Sequence, residues 1–520
     1  MKKNKNVENM KTIKYLVMVA VLMVLAPSCS EDFLELTNPN RPDVDNFFKT
    51  EEDFWYATNA IYQTLYYDGS YMRFCQLALD LRGDDVKGDS PWDVIHNTGR
   101  FSLPNNSIMQ EWLWVVFFGG VHRANHVITR IDDIEWTDQE MHDRLLGQAK
   151  FLRGLYYMHL VKFFRNIPLI LEPYQSADEF YQSQADPELV WDQIYADFSD
   201  AADLLPVQWE NAKDIGRATR GAALAYLGKA YLFNHRYGDA ADQFEDVFDL
   251  GIYDLMENYG DNFTEEFENN QESIFEVQFD RDVGGTVLGW VDEPAANWSK
   301  TTARAITYGP ENFGFSDVLP TRYLFEQFQI EQTVGGEVDP RLRETIIYDY
   351  PGCTLYGVAF RDAYPDHTKI FPKKYQNDQS GIENEFDWRS GINERLMRYA
   401  DVLLMYAECM IQLDQPGVAA QYMQMVRDRV DLPDREMEFA AYTKDQLMEQ
   451  LAHERFLEFA LEGHRFDDIV RWGWLYDPDK LAELKVNDPE FEAYVPGREY
   501  FSIPQQEIDT NENIRQNPGY

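Results

Sequence analysis

The chain has 520 residues, with 47 basic against 90 acidic for a net charge of −43, and it is 44% hydrophobic and 15% aromatic. So acidic a surface repels nucleic-acid phosphates and anionic lipid headgroups, which excludes functions that need a basic patch. With 12 Trp, 31 Tyr and 33 Phe it is no disordered polymer, and its length suits two domains or one large elaborated fold.

Lys2, Lys3, Lys5, Lys11 and Lys14 open the chain, and Ile13 to Leu25 is nearly all apolar. That run is shorter than the roughly 20 residues a membrane span needs. A basic start, a short apolar stretch and small residues before a break predict a cleaved export signal over residues 1–28. Cys29 follows at once and is read as a lipid anchor on the new N-terminus. The alternative is an ordinary secreted chain cut near Ser28. Acyl chains hold weakly one at a time, so a multiply acylated cysteine makes physical sense. Cys75, Cys353 and Cys409 are widely spaced and form no CxxC or disulfide framework. Cys409 sits in an apolar helical run, as a small buried hydrophobe would.

Residues 29–45 are rich in Asn, Pro and Asp and read as a tether. Helical periodicity begins at Glu51, with Phe54, Ala57, Ile61 and Leu65 on one face, and defines an N-terminal helical part over 46–255. "MQEWLWVVFFGGVHRANHVITRI" predicts a helix or a helix pair, with a weak point at Gly119-Gly120. "RLLGQAKFLRGLYYMHLVKFF" predicts another helix, stopped at Asn166-Ile167-Pro168. Leu224, Leu227-Gly228, Tyr231, Ala240 and Phe244 match the spacing of a tetratricopeptide helix pair. Leu403, Tyr406-Ala407, Met410, Ala419 and Met423 fit it more loosely. Two such pairs so far apart in sequence predict helix pairs brought together around an insertion.

That insertion spans 256–395. "SIFEVQFD" alternates like a strand. The remainder is rich in Gly, Asn, Asp, Pro and aromatics, as functional loops are. A C-terminal helical part fills 396–520.

Several stretches together resemble the SusD/RagB family of surface nutrient-binding lipoproteins. They are Phe33-Leu34 soon after Cys29, "AKFLRGLYYMHLVKFFRNIPLIL", "LMRYADVLLMYAE", "LAHERFLEFALEGHRFDDIVRWG" and the tail "YFSIPQQEIDTNENIRQNPGY". The tail departs from the family pattern at Asn511-Glu512, where Asn-Pro is usual. The resemblance implies a mostly α fold, with tetratricopeptide-like helix pairs forming a right-handed helical scaffold and a loop-rich insertion carrying a few short strands. It also implies a cell-surface lipoprotein of the outer membrane, no catalysis, no cofactor, and a TonB-dependent β-barrel transporter of the SusC-like kind as partner.

Two loop segments carry the residue mix that sugars need. Flat rings cover apolar sugar faces, while polar side chains bind hydroxyls. Arg82, Asp85, Trp92 and Asn97 come from the first, and Trp290, Trp298, Arg304 and Tyr308 from the second. The family tends to place ligand contacts in loops of these regions, so the expected ligand is a glycan, an oligosaccharide. Each ring has the plainer alternative of propping up its own loop. Peptide capture, a surface glycoside hydrolase and a protein-binding scaffold are the rival functions.

Glu454, Glu458 and Glu462 are four apart on one helical face, with Arg455, Arg465 and Arg471 near in sequence. An ion-pair network is expected there, and likewise for Arg398, Asp401 and Glu408. His122 and His126 are four apart but have no third ligand nearby, so no metal is expected. No GxSxG, P-loop or GxGxxG after a strand occurs.

Overall fold

The computed structural model describes residues 47–520 apart from 175, 285–287, 290 and 292–299. The expected export signal, the tether, Cys29, Trp290 and Trp298 lie outside the described residues. The chain divides into two units, Met1–Lys49 and Thr50–Tyr520.

The second unit is mostly helical. Helix α1 (Glu51–Gln63) starts with a reciprocal cap, in which the Thr50 hydroxyl accepts the Asp53 N–H and the Asp53 carboxylate accepts the Thr50 N–H. Three acids in its first turn complement the helix dipole. After α2 (Phe74–Asp80) and α3 (Asp93–Gly99) comes α4 (Ile108–Arg130), which is one continuous helix through the expected weak point. Gly119 is exposed with open space around it, and Gly120 faces α5 (Gln139–Phe164). A Cβ at Gly120 would overlap the Tyr156 ring. The glycine therefore serves close helix approach and not a break. Helix α5 ends at Phe164, where Arg165 takes φ +57°, next to the expected stop.

Arg153 of α5 ties three helices. It donates to both carboxylate oxygens of Asp197 on α6 (Pro187–Leu204) at 2.8 and 2.7 Å, and to Asn125 of α4 at 2.9 Å. The tetratricopeptide spacing folds as α7 (Arg220–Phe233) and α8 (Tyr237–Asp249). A Cβ at Gly228 would lie 2.5 Å from the Phe244 ring, so glycine sets the closeness of that seam. Tyr231 turns the other way and packs on Tyr195 of α6, with ring centres 4.6 Å apart.

Strand β1 (Val86–Gly88) lies between α2 and α3, and β2 (Ser273–Val277) is the expected alternating segment. Helix α9 (Arg304–Tyr308) and strand β3 (Val318–Pro320) follow in the insertion, and β4 (Glu394–Arg398) closes it. β1 pairs antiparallel with β3, and β2 with β4. Every sheet among the described residues has two strands.

Helices α10 (Tyr399–Gln412) and α11 (Pro416–Asp428) form the second pair. It meets the first pair directly, since the Tyr406 hydroxyl donates to Glu245 of α8 at 2.7 Å and its ring packs on Phe248 at 5.2 Å. Cys75, Cys353 and Cys409 are all buried and unpaired.

Helix α12 (Lys444–Glu458) carries Glu454 and Glu458 of the acidic ladder, but it ends there, and Glu462 falls in the turn before α13 (Arg465–Arg471), so the three do not share one helical face as expected. The ladder is an ion-pair network, but its partners differ from those nearest in sequence. Glu454 pairs with Arg341 and Arg427, Glu458 with Arg341, Arg398 and Arg429, and Glu462 with Arg398 and Lys374. Arg455 instead binds Asp401 and Asp468, Arg465 binds Asp84, and Arg471 binds Glu408 and Asp468. Arg341 and Lys374 come from the insertion, so the network clamps that insertion onto the C-terminal part. Burial by itself would raise the Glu458 carboxyl, but the Arg429, Arg398 and Arg341 guanidiniums outweigh it and hold the group far below the usual range.

Candidate functional site

The β1–β3 ladder positions the site. Its register sets Gly88 opposite Val318, and one step on the Asp89 N–H donates to the Asp317 carbonyl at 2.8 Å. The loops beyond the ladder, Ser90–Trp92 and Phe315–Asp317, therefore run side by side. A third loop joins them. The Glu385 N–H donates to the Phe313 carbonyl at 2.8 Å, and the buried Glu385 carboxylate accepts from the Asn377 backbone and from the Tyr356 hydroxyl. The following turn sets Trp388 at φ +61° with its ring 5.2 Å from that of Phe315.

These loops enclose a cleft of about 330 Å³, lined by Arg73, Trp92, Thr307, Phe315, Asp317 and Trp388 together with Ser90, Pro91 and Ile95. Trp92 caps α3, half-exposed, and stands edge-on to Phe74 at 5.7 Å. The Arg73 guanidinium lies 5.1 Å from the centres of both rings. Asp68 binds Arg73 in a two-pronged pair and also accepts the Gly289 N–H at 2.7 Å, which ties the insertion loop to the cleft. The Ser90 hydroxyl accepts the Trp92 N–H at 3.0 Å. Burial raises the Asp317 carboxyl, opposed by its hydrogen bond to Ser90 and by the charge of Arg73. Phe315 and the neighbouring Phe386 are 44% and 48% exposed, so the wall is aromatic surface open to a ligand.

Trp92 is the sequence-selected residue that lines this cleft. Asn97 lies on the same short helix, half-buried, its side chain accepting from the Ser102 hydroxyl at 3.2 Å. Arg82, Asp85, Arg304 and Tyr308 are buried and engaged within the protein. Arg82 is sandwiched between Phe466 and Phe501, at 4.3 and 4.1 Å, and donates to the Glu499 carbonyl; burial brings its guanidinium down to about 10. Asp85 accepts from the Leu461 N–H and is pushed up to about 7 by burial and by the charges of Asp80 and Asp84. Arg304 binds Glu394 at 2.5 Å and Asp80 at 3.3 Å, and Tyr308 donates to Asp80 at 2.8 Å. These two anchor α9 from beneath, and Thr307 of the same helix is what faces the cleft.

Arg73, Phe315, Asp317 and Trp388 were not singled out by the sequence. Phe315 and Trp388 do lie in segments whose aromatic-rich composition marks them as loops with a purpose. Nothing local marks Arg73, whose role comes from its contact with Asp68 and Trp92.

Asp80, Arg304, Glu394, Glu462, His464 and Lys229 line a separate small chamber of about 40 Å³. That is room for a water or two, not for a sugar. On α4, His122 and His126 meet Nε2 to Nε2 at 3.2 Å. Among the described residues no three or more His, Cys, Asp or Glu converge as metal ligands, and no helix is long and apolar enough to cross a membrane.

Two family models cover most of the chain. Residues 271–520 match the one described as SusD family, and residues 32–232 match the one described as starch-binding associating with outer membrane. A SusD-like protein of Formosa agariphila is 24% identical over 548 residues, covering 97% of this chain and 99% of that protein. One of Bacteroides ovatus is 24% identical, covering 95% and 93%. Among solved structures, a SusD superfamily protein from Bacteroides vulgatus superposes with TM-score 0.79 at 29% identity, covering 91% of this chain and 99% of that one. A laminarin-binding SusD-like protein superposes with TM-score 0.74 at 27% identity, covering 91% and 100%. The chain belongs to the SusD/RagB family.

Proposed function

We propose that this protein holds a glycan at the cell surface in the cleft of Trp92, Phe315 and Trp388, and passes it unaltered to a TonB-dependent transporter. The observation that carries the reading is the cleft itself. Exposed rings on two walls suit the apolar faces of sugar rings, and Arg73, Ser90, Thr307 and Asp317 between them suit the hydroxyls. A structural relative is described as binding laminarin, which supports a glucan-type ligand here.

Non-catalytic binding is the matching reading of the chemistry. Glycoside hydrolysis uses two carboxyl groups about 5–9.5 Å apart across the bond to be cut. Asp317 is the one carboxylate lining the cleft among the described residues. A lipid on Cys29, exposed once residues 1–28 are removed, would hold the protein on the outer membrane beside its transporter.

Affinity electrophoresis in gels cast with a panel of polysaccharides tests the binding claim. At least one glycan should retard the wild type, and Trp92→Ala or Trp388→Ala should weaken that by at least about tenfold, near 1.4 kcal/mol. Retardation unchanged in both variants, or sugar released on long incubation, contradicts it. Binding of peptides but no glycan moves the reading to peptide capture.

A further inference from the structure

The charge of the cleft bears on which glycans it accepts. Arg73 is the one cation lining it among the described residues, and its Nε and Nη2 donors are both committed to Asp68. Asp317 forms part of the same wall. On the rim, Asp89 and Asp93 flank Ser90 and Trp92, and Asp387 and Arg389 flank Trp388; all four are exposed. Cleft and rim together set two guanidiniums against four carboxylates, on a chain whose net charge is −43.

We propose that the cleft selects uncharged glycans and rejects those bearing uronate or sulfate groups. The inference rests on the reading of this cleft as a glycan site. A ligand carboxylate or sulfate needs net positive charge to pair with, and here Asp68 already neutralises Arg73 and takes its Nε and Nη2 edge, while the rim carboxylates outnumber Arg389. A neutral sugar needs only ring faces and hydroxyl partners, which Trp92, Trp388, Ser90, Thr307 and Asp317 offer. A cleft with low-dielectric walls focuses the surrounding negative potential inward, so an anionic chain is repelled before it touches the rings. The repulsion is screened over about 8 Å at physiological ionic strength, which makes it testable with salt.

The test is calorimetry on the intact protein with hexasaccharides of neutral glucan, mannan and xylan, and of alginate and sulfated galactan, in low and high salt. The expected result is Trp92-dependent binding of a neutral oligomer, with anionic oligomers at least about tenfold weaker and the gap shrinking as salt rises. Asp68→Asn, which releases the Arg73 fork, should narrow the neutral-to-anionic ratio. A triple Asp89→Asn, Asp93→Asn, Asp387→Asn variant should also narrow it, and these exposed positions put folding at little risk. Trp92-dependent binding of an anionic oligomer as tight as the best neutral one overturns the inference, as does a ratio unchanged in both variants. Absence of any Trp92-dependent glycan binding removes the glycan reading itself, and this inference with it.

Discussion

The Asp68 carboxylate grips the Arg73 guanidinium through two hydrogen bonds, 2.8 Å to Nε and 2.5 Å to Nη2. Asp68 is wholly buried and Arg73 nearly so, which makes this a desolvated pair at the edge of the candidate site. Removing one partner strands the other charge. Arg73→Ala should therefore cost about 3–5 kcal/mol of stability and also weaken glycan binding. Urea denaturation measures the first effect, and a loss below about 1 kcal/mol would show that the pair is not held as described.

Glu458 sits among Arg341, Arg398 and Arg429. Its folded carboxyl titrates far below its unfolded value, so it contributes stability at neutral pH. That contribution is present above the ordinary glutamate range and is lost as pH falls toward the folded value. Wild-type melting temperature should drop steeply below about pH 4.5. Glu458→Gln should be less stable at pH 7 by about 3–5 kcal/mol, with a shallower acid slope. Melting curves from pH 3 to 8 on both proteins check this.

Asp85 has the opposite sign. Its folded carboxyl is pushed up to about 7, above the unfolded aspartate value, so the folded state favours its protonated form. Ionisation above pH 7 then opposes folding, and stability rises as pH falls from about 8 toward 4. Asp85→Asn should be more stable than wild type at pH 8 by about 1–3 kcal/mol, and the advantage should vanish near pH 4. Equal stability of the two proteins at pH 8 would count against a buried, partly unpartnered carboxylate.

The two glycines in α4 should respond oppositely. Gly120→Ala drives a methyl into the Tyr156 ring and should cost about 1–3 kcal/mol. Gly119→Ala meets open space in an exposed helical position and should stabilise by about 0.5–1 kcal/mol. Chemical denaturation of the pair separates a packing glycine from a helix-weakening one.

The helices were legible because their signals are local. Leu224, Gly228 and Phe244 fix a seam by spacing, and the stop after Phe164 is written in the three residues that follow Arg165. The acidic ladder announced a network, but not its partners. Arg341 lies 113 residues before Glu454, and no local pattern points across that distance. The site was legible as segments and not as residues. Arg304 and Tyr308 have the chemistry of ligand contacts, yet Asp80 and Glu394 claim them from below, and Thr307 is left facing the cleft. Trp388 reaches Phe315 only because Glu385 hydrogen-bonds to Phe313, a contact set by the fold and not by the spacing of aromatics.

The central claim is that the Trp92 and Trp388 rings hold a sugar. Its most direct test is a crystal structure of the protein with an oligosaccharide that retards it in affinity gels. The account predicts a pyranose ring stacked on Trp92 or Trp388, with a hydroxyl bonded to Arg73 or Asp317. Well-ordered sugar bound elsewhere, such as the groove around Trp209 and Tyr253, with this cleft empty, would contradict it.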